Sequence, residues 1–141
     1  MAESVFADAL YYIALLVPRD RKHEKALAIG ERLLPVHMVT CEPVLTETFA
    51  HVSGLGPFAR SQAVSFVEEL RSDPSVTIVE QTHELFEAGL ESFRRRLDKG
   101  YSLTDCMSMW ICQQFGITRV LTGDQHFVQE GFTILLPDRE R

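Results

Sequence analysis

Five short strand-like stretches alternate with longer helix-like ones, and this alternation restricts the chain more than any other feature. The strands read Glu3–Asp8, His37–Cys41, Val76–Val79, Arg119–Thr122 and Thr133–Leu136. The apolar run Ala9–Leu16 reads as a buried helix that Pro18 stops. Asp20–Leu34 carries Ala26, Leu27, Ile29, Leu33 and Leu34 at helical spacing, and Pro35 ends it. Pro43 opens a third helix from its favoured first position, running to about His51. After the turn Ser53–Pro57 come helices Phe58–Leu70 and Glu84–Leu97, the break Lys99-Gly100, and helix Ser102–Phe115. Strands separated by helices specify an α/β fold, a mainly parallel sheet with helices on both faces. Such sheets bind ligands beyond the carboxyl ends of their strands.

A chain of 141 residues suits one domain, residues 1–141, with no repeat or linker. At that length about two thirds of the unfolded surface is buried, enough for a core without staples. The 45% hydrophobic and 24% charged content is ordinary for a globular protein. Cys41, Cys106 and Cys112 are odd in number, fit no disulfide or zinc spacing, and sit among apolar residues, which suits a reducing cytoplasm. Ala9–Val17 is too short to cross a membrane, and the acids Glu3 and Asp8 before it are the wrong flank for export. The expected location is therefore cytoplasmic.

Four acids stand where such a sheet would bind. Asp8 ends the first strand, Glu47 lies one turn into the helix after the second, and Asp124 follows the fourth in the turn Thr122-Gly-Asp124. Asp105 falls three residues after Ser102, as in a capping box. Each has a plain structural explanation: Asp8 or Asp124 as a solvated turn residue, Glu47 as a surface charge, Asp105 as a helix-capping acid stabilising by about 0.3–1 kcal/mol. The surroundings argue otherwise. Asp105 opens a helix with Leu103, Cys106, Met107, Met109, Trp110, Ile111 and Cys112, and Asp8 is the one charge between Glu3 and Arg19. Acids in apolar segments are seldom buried unpaired. No basic residue lies beside them in sequence. Two carboxylates about 4 Å apart repel by roughly 4 kcal/mol at an effective dielectric near 20, so four together need a cation. A hard divalent ion fills that need, and phosphodiester hydrolysis is the chemistry that follows.

At these residues the chain resembles the PIN-domain family. Ser4-Val-Phe-Ala-Asp8, Val44-Leu-Thr-Glu47, Tyr101-Ser-Leu-Thr-Asp105-Cys-Met-Ser-Met and Val120-Leu-Thr-Gly-Asp124-Gln-His-Phe127 are similar to its four acidic motifs, in order and over nearly the whole chain. The last two together are the specific pair. The resemblance implies a three-layer PIN-like fold and an endoribonuclease using Mg2+ or Mn2+ held by Asp8, Glu47, Asp105 and Asp124. In the commonest bacterial branch it implies a VapC-like toxin, neutralised by an antitoxin protein and usually a homodimer. Many relatives carry Thr or Ser directly after the first acid, where this chain has Ala9. Ser102 and Thr122 stand where relatives often have small hydroxyls, and take supporting roles.

The net charge of −6, from 14 Lys and Arg against 20 Asp and Glu, runs against simple attraction to RNA. Arg94, Arg95, Arg96 and Lys99 form the one dense basic cluster, either a solvated helix end or an RNA-binding rim. His23, His37, His51, His83 and His126 show no zinc spacing; His126, near Asp124, reads as a structural or surface residue. Gly54-Leu-Gly56-Pro57 follows a helix and is a turn, not a dinucleotide fingerprint. Trp110 reads as core. The alternatives are a PIN nuclease of RNA processing that is not a toxin and a non-catalytic module binding RNA or protein. A phosphate-receiving signalling domain ranks below them, because none of Lys22, Lys25 and Lys99 follows a late strand.

Overall fold

The strand-like stretches assemble into a five-stranded sheet in the computed structural model, which describes residues 3–138. The chain runs β1 (Ser4–Ala7), α1 (Ala9–Leu16), α2 (His23–Arg32), β2 (His37–Cys41), α3 (Glu42–Val52) and α4 (Pro57–Ser72). It continues through β3 (Val76–Val79), α5 (His83–Arg95), α6 (Leu103–Phe115), β4 (Arg119–Leu121), α7 (Gln125–Gln129) and β5 (Thr133–Ile134). All pairings are parallel, in the spatial order β3-β2-β1-β4-β5. Parallel neighbours need crossover connections, and the helices supply them.

The chain steps outward from β1 to β3, then returns to the other side of β1 for β4 and β5. The strand order therefore reverses between β1 and β4, the point at whose carboxyl end open α/β sheets bind ligands in a crevice. The register pairs Phe6 with Val120 and Ala7 with Leu121, so Asp8 and Thr122 come out side by side at that crevice. Asp8 N–H still donates to the Leu121 carbonyl at 3.2 Å, which holds the acid against the end of β4.

Burial follows from this layering. Val5, Phe6 and Ala7 are fully buried, as a central strand covered on both faces requires. In α1, Ala9 and Tyr11 to Ala14 are buried; in α6, so are Asp105 to Met109, Ile111 and Cys112. Gly116 ends α6 at φ 67°, a left-handed conformation that favours glycine after a helix. All three cysteines are buried and free. Trp110 is only partly buried, packed against the core from its edge.

Several boundaries differ from the sequence expectation. Helix α2 starts at His23 because the Asp20 carboxylate first accepts from the Lys22 N–H at 2.9 Å, closing a turn in place of a helical one. It stops at Arg32, before Pro35, and leaves Leu34 70% exposed. Helix α5 stops at Arg95 with Arg96 at its end. Strand β5 covers only Thr133–Ile134, although the Leu136 N–H goes on to donate to the Thr122 carbonyl at 3.0 Å. Helix α7 was not expected. Asp124 caps it, accepting the His126 N–H at 2.8 Å.

Candidate metal centre

Three of the expected acids come from element junctions at the crevice. Asp8 leaves β1 with 3% of its surface exposed and accepts the Thr122 hydroxyl at 2.7 Å. Thr122 is fully buried at the end of β4, and its hydroxyl oxygen also accepts the Asp124 N–H at 3.1 Å. One hydroxyl thus ties two acids together. It supplies from β4 the contact to Asp8 that Ala9 cannot make. Asp105 sits in the first turn of α6. The Ser102 hydroxyl accepts the Asp105 N–H at 3.0 Å, and the Asp105 carboxylate accepts the Ser102 N–H at 3.1 Å, a complete capping box. This fixes the carboxylate at the helix N-terminus, where negative charge is favoured. Ser102 accordingly acts through Asp105.

The closest grouping contains a residue read from the sequence as structural. Nδ1 of His126 lies 3.3 Å from both Oδ2 of Asp105 and Oδ1 of Asp124, and these ligand atoms all fall within 4.8 Å of one another. Asp8 and Glu47 stand outside this tight trio and join it through their charge. Burial pushes the Asp8 carboxyl up to about 7, the charges of Asp105 and Glu47 push the same way, and the Thr122 hydrogen bond opposes them. Asp105 is raised by burial and by Asp124, against the pull of the Ser102 N–H and of His126. Glu47, the exposed member on α3, is raised by partial loss of water and by Asp105 and Asp124. Asp8, Glu47 and Asp105 therefore each feel the charge of at least one other acid of the group. Such an arrangement invites a divalent cation with hard oxygen ligands.

His126 was missed because α7 was missed: only the helix capped by Asp124 turns its ring back over the acids. Two neighbours hold that ring. Tyr101 meets it edge-on, with ring centroids 5.2 Å apart, and a Cβ at Gly100 would lie 3.4 Å from its Nε2. The buried Tyr101 hydroxyl donates to Glu130 at 2.8 Å. Glu130 also accepts from Arg96 at 2.8 Å. Of the basic cluster, Arg96 is thus engaged in this support, Arg94 and Arg95 pair with Glu91 on their own helix, and Lys99 is exposed.

No protein-family model matches the chain, and no curated protein matches it in sequence. Solved structures do. One is Mycobacterium tuberculosis VapC20, described as a sarcin–ricin loop cleaving toxin; TM-score 0.81 and identity 25%, over 92% of this chain and 96% of that one. Chains of two DNA-bound assemblies share the fold: VapBC from Salmonella typhimurium, with TM-score 0.61 and 14% identity over 95% and 97% of the two chains, and VapBC2 from Rickettsia felis, with 0.62 and 11% over 93% and 96%. The likeness extends over nearly the full length in each case, and the acidic crevice lies where the four PIN motifs of the sequence converge. The chain thus has a PIN-like fold and is similar over nearly its whole length to VapC-type toxins.

Proposed function

We propose that the chain is a metal-dependent endoribonuclease that hydrolyses RNA phosphodiester bonds, and that it is the toxin of a type II toxin–antitoxin pair. The observation that carries this reading is the grouping of Asp8, Glu47, Asp105 and Asp124, in which Asp8, Glu47 and Asp105 are raised first by burial and then by the charge of neighbouring acids, Asp8 by Asp105 and Glu47, Glu47 by Asp105 and Asp124, and Asp105 by Asp124. The carboxylate oxygens suit Mg2+ or Mn2+, and the one imidazole beside them is tolerated better by Mn2+. When bound, such an ion lowers the pKa of water and stabilises the charge on a phosphate being displaced.

The chain's own residues prepare for this. Thr122 favours the ionised form of Asp8 against burial. The capping box with Ser102 orients Asp105. Nδ1 of His126 faces both Asp105 and Asp124 at 3.3 Å. The buried walls around Asp8 and Asp105 lower the local dielectric, so charge interactions with a substrate are strengthened there.

Likeness to a toxin described as cleaving the sarcin–ricin loop supports RNA as the substrate. Likeness to chains from VapBC assemblies supports a protein antitoxin as partner, and the cytoplasmic setting rests on the free cysteines of the sequence. The homodimer rests on the resemblance alone. Among the described residues no helix is long and apolar enough to cross a membrane.

The test is cleavage by purified protein of a mixed single-stranded RNA and of an RNA carrying the sarcin–ricin loop, with Mg2+ or Mn2+. EDTA and Asp8→Asn are the controls. Cutting that requires metal and is lost in the variant supports the reading. Folded protein that binds metal and RNA without cutting either substrate would mark a non-catalytic module.

A further inference from the structure

A basic pair apart from the cluster singled out in the sequence lies beside Asp124. An open cleft of about 390 Å³ runs from Asp124 across Gly123 to Arg21 and Lys22, in the turn before α2. Arg21 is exposed over 74% of its side chain; Lys22, at 14%, lies along the cleft wall. The Lys22 ammonium sits so close to Gly123 that a Cβ there would overlap it. A fixed cation is thereby set one residue from Asp124. The exposed side of Leu10 forms an apolar edge to the same cleft.

Both cations already hold an anion. Oδ1 of Asp138 accepts from Nη2 of Arg21 and from Nζ of Lys22, each at 2.8 Å. Lys22 has a second, structural anchor, donating to the Leu136 carbonyl at 2.6 Å. Asp138, 54% exposed, is the one carboxylate paired with Arg21 among the described residues. A phosphodiester carries the same charge as that carboxylate and offers the same paired oxygens to a guanidinium.

We propose that the cleft between Arg21, Lys22 and Asp124 seats an RNA backbone phosphate next to the one that is cut, and that Asp138 occupies this seat in the free protein. The proposal rests on the nuclease reading and adds the route of the strand past Asp124. It gives an acidic chain a local cationic contact for an anionic strand once Asp138 is displaced, although Asp20 and Asp124 line the same cleft. Arg21 binds the phosphate, Lys22 fixes the position of the seat, and Asp138 competes for it.

The experiment measures binding of a fluorescein-labelled single-stranded RNA of mixed sequence to protein carrying Asp8→Asn, which prevents cutting, by anisotropy across a salt series. Against that background, Arg21→Ala is expected to weaken binding about five- to tenfold. It should also lower the slope of log Kd against log salt by about 0.7, one phosphate contact on a single strand. Arg21→Lys should recover part of the loss, and Asp138→Asn should tighten binding about threefold. Mn2+ affinity, measured calorimetrically with the natural Asp8 in place, should be unchanged by any of these. Equal RNA binding by the Arg21→Ala and parent proteins, with Mn2+ still bound, overturns the seat and leaves the nuclease reading intact. Folded protein that binds neither Mn2+ nor RNA overturns both.

Discussion

The Thr122 hydroxyl donates to the Asp8 carboxylate at 2.7 Å, bridging the carboxyl ends of the neighbouring strands β1 and β4. Parallel register alone brings the two together, and the bond opposes the burial that raises Asp8 to about 7. Thr122→Val keeps the shape and removes the donor. The Asp8 carboxyl should then rise further, because the group lost is one that favoured its charged form. Divalent-metal affinity at neutral pH should fall about tenfold, and its pH midpoint should move upward. Calorimetric titration of Mn2+ across a pH series checks both.

The same raised carboxyls set the pH dependence of the metal-free fold. A carboxyl whose folded pKa lies above its unfolded value contributes stability that is fully present below the unfolded value, 3.8 for Asp8. That contribution is lost as pH rises through the folded value of about 7. Asp105 and Glu47 are shifted in the same direction. Asp8→Asn should therefore raise the Tm of metal-free protein by several degrees at about pH 8 and by less at about pH 5. Thermal melts in EDTA test this. A variant that is less stable than the parent at the higher pH would show that the buried charge at Asp8 is not a cost to the fold.

His126 places an imidazole nitrogen 3.3 Å from each of two carboxylates. Imidazole suits transition-metal ions better than Mg2+, which prefers oxygen ligands. His126→Ala should cost about tenfold in Mn2+ affinity and markedly less in Mg2+ affinity, narrowing the preference between them. Parallel titrations with the two ions measure it.

Gly123 is held by contact from outside its own segment. An added Cβ would overlap the Lys22 ammonium and approach the Leu136 carbonyl to 2.6 Å. Gly123→Ala should destabilise the protein by about 1–3 kcal/mol, as overpacking does, and shift Asp124 enough to weaken metal binding. Urea unfolding gives the first quantity and Mn2+ titration the second.

The elements legible in the sequence were those with local signals. Proline and glycine punctuation marked the helices, the strands His37–Cys41 and Val76–Val79 appear at the expected residues, and Ser102 with Asp105 announced the capping box that forms. The acids at the ends of β1 and β4 could be anticipated because alternation of strand and helix implies a parallel sheet. What stayed hidden depends on pairing across the chain. The contact between Thr122 and Asp8 spans 114 residues, and α7 is too short for helical periodicity to show. His126 therefore read as a structural or surface residue. Lys22 follows no late strand in sequence, yet the fold presses it against the turn that follows β4. Arg96 looked free in a basic run and instead binds Glu130, 34 residues on, beneath Tyr101.

The most direct test of the central claim, that these acids are gathered to hold a divalent ion, is calorimetric titration of Mn2+ into the metal-free protein and into Asp124→Asn. Saturable binding by the parent, lost or weakened at least tenfold in the folded variant, is the predicted result. Absence of Mn2+ binding by folded parent protein, or equal binding by both proteins, would contradict the claim.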